Sequence, residues 1–146
     1  MLYRWVRVIF DFIAFPFATQ LLKGEIKNYN FKILNNIYKT VNYFNKLLIN
    51  YPKREMILSN NIEQACYQLV ELVFAYSIND TDRIREKNLK DMLIKTSMLD
   101  FYVRVSYDKK IISKHQFEVL GRFFTEIRKM IYGLKKRNDI NGEVKK

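Results

Sequence analysis

Apolar residues recur at helical spacing along most of this chain. Leu34, Ile37, Val41, Phe44 and Leu48 stand 3, 4, 3 and 4 residues apart, which keeps them on one face and predicts a helix over residues 30–49. Tyr51-Pro52-Lys53-Arg54 ends it, because Pro lacks the N–H to continue and biases the residue before it away from helical angles. Leu58, Ile62, Ala65, Leu69, Leu72 and Tyr76 predict a second helix over residues 59–77, with Ser59, Asn60 and Asn61 as candidate caps. Ile78-Asn79-Asp80-Thr81 is the next break.

The third segment, residues 82–107, carries two apolar stripes. Leu89, Met92, Thr96, Leu99 and Val103 form one seam; Ile94, Met98, Phe101 and Val105 form another. A shift of two residues turns the helix by about 200°, so the second stripe lies nearly opposite the first. A helix apolar on two faces is expected to be buried on two faces. The second stripe therefore predicts a subunit interface, unless residues 1–22 cover it.

The fourth helix is expected over residues 114–136. Ser113-Lys114-His115-Gln116 has the form of a capping box, with Ile112 and Phe117 placed as a hydrophobic staple. Its seam is Phe117, Leu120, Phe124, Ile127, Ile131 and Leu134, widened by Phe123 and Met130. Arg122, Lys129 and Lys136 recur every seven residues on the other side, with Arg128 and Lys135 beside them. The whole reads as an all-α, antiparallel up-down-up-down four-helix bundle over residues 23–137, followed by a polar, fraying tail at 138–146.

Residues 1–22 fit less well. Val8 to Ala18 is apolar apart from Asp11 and follows Arg4 and Arg7, as in a signal peptide. Asp11, Pro16 and the lack of an A-x-A site argue against that, and the run is shorter than the ~20 apolar residues of a membrane span. It is treated as an apolar N-terminal extension of unassigned role: a helix lying on the bundle, sequence upstream of the true start, or an anchor.

Composition narrows the class. Only 4 Gly and 2 Pro among 146 residues favour long helices over a turn-rich β fold. One cysteine excludes an internal disulfide and a cysteine-based zinc site, and is compatible with a reducing, cytoplasmic setting. The formal charge of +11 is uneven. Between Glu55 and Asp82 there are five acids and no Lys or Arg, whereas Arg83 to Arg137 holds fifteen Lys/Arg and six Asp/Glu. A concentrated positive field suits a polyanion such as nucleic acid or anionic lipid, or simply a solvated surface. The candidate contacts are Arg122, Arg128, Lys129, Lys135 and Lys136, then Arg83, Arg85, Lys87 and Lys90, and Arg104.

Catalytic patterns do not emerge. His115 sits in the exposed first turn of its helix, Cys66 lies beside an apolar seam without a nearby cation, and there is no Gly-rich phosphate loop or H-E-x-x-H. Glu63 and Glu71 lie near one face but lack the E-x-x-H partners of a bundle metal site. Tyr102 and Tyr107 could stack on bases; packing at the core boundary is the expectation for Tyr102. No catalytic residue, metal or cofactor is assigned.

Residues 28–136 resemble the accessory variability determinant (Avd) proteins of diversity-generating retroelements. The matching pieces are Asn50-Tyr51-Pro52-Lys53-Arg54, Ile62-Glu63-Gln64-Ala65, Tyr102-Val103-Arg104-Val105 running into Asp108-Lys109-Lys110-Ile111-Ile112-Ser113, and Glu126-Ile127-Arg128-Lys129-Met130. The sister proteins encoded in 23S rRNA intervening sequences share the bundle. Their Ser-Ile-x-x-Asn-x-x-Glu-Gly signature is absent from Cys66-Tyr67-Gln68-Leu69-Val70-Glu71-Leu72. The resemblance implies a barrel-shaped homo-oligomer, a pentamer, that binds reverse transcriptase and RNA or DNA and assists error-prone cDNA synthesis without being the polymerase. The alternatives are a bundle of the intervening-sequence type and a membrane-associated helical adaptor anchored by residues 1–22.

Overall fold

The structure, a computed structural model, describes residues 28–144. The apolar extension at 1–22 lies outside the described residues. Four helices follow one another: α1 (Asn28–Leu48), α2 (Met56–Ile78), α3 (Asp82–Asp108) and α4 (Lys114–Val144). Each packs on the next in sequence, and α4 closes the bundle against α1. Short connections force neighbours antiparallel, the up-down-up-down arrangement expected of four amphipathic helices.

Pro52, at φ −61° and ψ 146°, directs the chain after α1 into a single 3₁₀ turn, Lys53–Glu55, which runs directly into α2. Helix α2 therefore starts at Met56, ahead of the expected Ser59, and Ser59, Asn60 and Asn61 lie inside it rather than capping it. The other boundaries fall within two residues of expectation, except that α4 continues past Lys136 to Val144.

The core joins all four helices. Leu89, Met92, Thr96, Leu99 and Val103 of α3 are buried, as are Leu120, Phe124, Ile127, Ile131 and Leu134 of α4. Both seams are those read from spacing, with Phe117 half-buried at the end of its row. Helix α1 keeps Ile37 and Phe44 of its expected row, but the other three buried positions fall one residue earlier, at Ile33, Thr40 and Leu47, with Leu34, Val41 and Leu48 flanking them. Thr40 hid this register because it is polar. Its hydroxyl donates to the Asn36 carbonyl at 2.8 Å, so burial leaves no donor unpaired. Thr96 uses the same device toward Met92. In α2, Val73 takes the buried position expected for Leu72, which is half-buried.

The turn between α3 and α4 is specified on both sides. Lys110 adopts φ 58°, and the amides of Lys110 and Ile111 bond back to the Tyr107 and Ser106 carbonyls at 2.9 Å each. These two bonds define a Schellman termination, here with lysine where glycine is usual. Then Gln116 N–H donates to Ser113 Oγ at 3.2 Å and Ser113 N–H donates to Gln116 Oε1 at 2.8 Å. The capping box is formed as its sequence predicts.

Candidate nucleic-acid interface

On α4 the core seam fixes where the charges point. With Leu120, Phe124, Ile127, Ile131 and Leu134 turned inward, Arg122, Lys129 and Lys136 are exposed. Repeating every seven residues, they form a row about 20 Å long at 1.5 Å rise per residue. The row stands on one helix, on the side away from the buried seam. Lys129 pairs with Glu126 at 3.1 Å, but both side chains are more than half exposed and the pair is screened by solvent. Lys135 is half-buried beside the row.

Arg128 behaves differently. Its guanidinium donates to Asp100 of α3 at 2.9 Å, with both side chains about a third exposed (31% and 32%). That pairing ties α4 to α3 and occupies much of the charge.

The second basic group stands at the start of α3. Arg83 and Lys87 are exposed, and Lys90 pairs with Glu86 at 3.1 Å. Arg85 is half-buried, its guanidinium 4.6 Å from the centroid of the Tyr76 ring. Tyr76 also donates to Asn138 Oδ1 of α4 at 3.1 Å. These contacts bring the start of α3 and the end of α4 to the same end of the bundle, so Arg83 and Lys87 lie at the end where Lys135 and Lys136 stand. Arg104, exposed near the far end of α3, is remote from that group.

Among the described residues, nothing covers most of the second apolar stripe of α3. Ile94 is 58% exposed and Phe101 57%, with Met98 exposed and Val105 half-buried. The inward seam of the same helix is buried, so the two faces differ as their spacing requires. Tyr102 packs half-buried against the core and meets Phe101 edge-on. Tyr107 stacks on Phe117 at 4.7 Å, which takes one face of its ring.

The remaining reactive side chains have ordinary surroundings. Cys66 is buried; burial, with some help from Glu63, pushes its thiol up to about 12. A thiol so disposed is a small apolar core group rather than a nucleophile. His115 is exposed. Among the described residues no group of three or more His, Cys, Asp or Glu could hold a metal ion, and no helix is long and apolar enough to cross a membrane.

Spacing alone missed the contacts of Tyr76 with Arg85 and Asn138, and the burial of Asn88 one turn from Arg85. A signal was present: Asn138 continues the α4 seam at its own spacing, four residues beyond Leu134, and Asn88 precedes Leu89 on the α3 seam.

The described residues thus form a four-helix bundle with an exposed basic row on α4 and an exposed apolar stripe on α3. The model of the bAvd-like family matches residues 31–138, reaching into all four helices. The chain belongs to the bAvd-like family. A search of curated proteins found no match.

Proposed function

We propose that this protein is a non-catalytic accessory protein of a diversity-generating retroelement, binding nucleic acid and the element's reverse transcriptase and assisting mutagenic cDNA synthesis. The family match over all four helices carries the reading. Two features of the molecule support it. The exposed α4 row of Arg122, Lys129 and Lys136, with Arg83 and Lys87 of α3, gives a phosphate-binding surface. The exposed stripe of Ile94, Met98 and Phe101, with Val105 at its end, suits a contact between copies.

In this reading the working form is a homo-oligomer, a pentameric barrel, that repeats the basic row around its circumference. Repetition raises avidity without any new contact per copy. Backbone phosphates are the expected targets, with little base specificity, because the row carries no side chains arranged to read base edges. The reading places the protein in the cytoplasm with its template RNA.

Co-purification with a retroelement reverse transcriptase from the same genome tests the assignment, followed by cDNA synthesis with and without this protein. Stable association and protein-dependent cDNA are expected. A reverse transcriptase that neither binds the protein nor changes its product in its presence would overturn the assignment.

A further inference from the structure

We propose that Arg85, Asn88 and Asn138 form a binding site for a phosphate oxyanion at the end of the bundle where α2 turns into α3. Three buried donor nitrogens there find no acceptor: Nε of Arg85 and the Nδ2 atoms of Asn88 and Asn138. They are the buried side-chain polar atoms without a partner among the described residues; Arg85 and Asn138 both meet Tyr76, and Asn88 lies one turn along α3 from Arg85. Tyr76 organises it, with its ring under Arg85 at 4.6 Å and its hydroxyl on Asn138 Oδ1 at 3.1 Å. That hydroxyl bond occupies the oxygen of the Asn138 amide and leaves the nitrogen for something else. Asn88 is three residues from Arg85, on the same face of α3, and only 8% exposed.

The chemistry of the missing partner follows from the donors. Each unsatisfied buried donor is costly, and a part-buried guanidinium needs a counter-charge. The adjacent carboxylate, Glu86, is engaged by Lys90, and the aromatic face of Tyr76 supplies only part of the compensation. Three donors and one partly compensated positive charge call for an anion with several acceptor oxygens. A phosphate meets that need, and guanidinium recognises it well. Exposed Arg83 and Lys87 would draw anions to this end.

The three nitrogens are shielded from water, so entry requires movement. Arg85 is half-buried and can lift from the ring. Asn138 stands beyond Leu134, the last buried residue of α4, and the apolar residues that follow, Ile140 and Val144, are exposed. The end of α4 is thus tied at Asn138 by the Tyr76 bond, with no buried apolar residue beyond Leu134 among the described residues; a small shift of this end would admit a ligand.

The site deepens the nucleic-acid reading, which supplies one source of phosphate; free phosphate is the other. The test is calorimetric titration of the full chain with inorganic phosphate at constant ionic strength. We compare wild type with Asn88→Leu, which keeps the branched heavy-atom shape without the donor, and Asn138→Asp, which keeps the oxygen that Tyr76 bonds and replaces the donor nitrogen by a second oxygen. Saturable binding by wild type, weakened about tenfold or more in both variants, is expected from loss of a charge-assisted hydrogen bond. In phosphate-free buffer Asn88→Leu should be as stable as wild type or more so, because it removes an unpaired buried donor. Absence of saturable phosphate binding, or equal binding by the variants, overturns the site. So does strong destabilisation by Asn88→Leu, which would make Asn88 a structural hydrogen-bonding group. Displacement of bound phosphate by a short oligonucleotide assigns the site to the nucleic-acid backbone; phosphate that is not displaced assigns it to the free ion. Neither result depends on the α4 row.

Discussion

Arg128 of α4 donates to Asp100 of α3 at 2.9 Å, although its sequence position places it beside the outward basic row. The pair spans two helices and is only partly exposed, so its role differs from that of Arg122 or Lys129. Arg128→Gln should cost about 0.5–1 kcal/mol, the range for a solvent-screened pair. The salt dependence of nucleic-acid binding should barely change. Chemical denaturation and binding isotherms on the one variant check both halves; an Arg128→Gln protein of unchanged stability but markedly weaker binding would return Arg128 to the phosphate-contacting set.

Leu120 lies at 0% exposure in the middle of the α4 seam. Leu120→Ala should lower unfolding free energy by about 2–5 kcal/mol through lost transfer energy and a residual cavity. A loss below about 1 kcal/mol would contradict its place in a close-packed core.

One buried and one half-buried group should make the fold sensitive to alkali. The Cys66 thiol is raised from 9.0 to about 12 by burial, and the Tyr51 phenol is raised from 10.0, also by burial, against the opposing bond to Ser106. Both are neutral when protonated, and folding favours that form. Their contribution is therefore full below the unfolded-state values and is lost as pH rises from about 9 toward 12. Denaturation midpoints should fall between pH 8 and pH 11, and less steeply in Cys66→Ala, which has no thiol to ionise. Equal slopes for the two proteins would show that Cys66 does not contribute.

Phe101 projects from the uncovered α3 stripe, 57% exposed. In an oligomer built on that stripe, Phe101→Glu would bury an unpaired charge. Light scattering should show wild type as an oligomer at micromolar concentration and the variant as a folded monomer. A wild-type monomer would remove the stripe from the assembly.

The helices were legible because their seams are nearly pure apolar rows at alternating spacings of 3 and 4. Where a polar residue entered a seam, periodicity misled: with Thr40 buried, three of the five α1 seam positions fall one residue before those read from spacing. Start signals were readable where side chains make the bonds, as in the Ser113–Gln116 box, and misleading where backbone geometry does the work, as after Pro52. The outward direction of Arg122, Lys129 and Lys136 followed from the α4 seam. The partners of Arg128 and Arg85 did not, because Asp100 and Tyr76 come from other helices and only packing brings them near.

The most direct measurement of the account is the salt dependence of single-stranded RNA and DNA binding by wild type and by a variant with Arg122, Lys129 and Lys136 all replaced by Gln. Each phosphate contact contributes about −0.7 to the log–log slope for a single strand, through counterion release. Wild type should bind with steep salt sensitivity. The variant should keep its helical circular-dichroism spectrum but bind more weakly, with a flatter slope. Unchanged affinity and slope in a folded variant would contradict the claim that this row is the nucleic-acid surface.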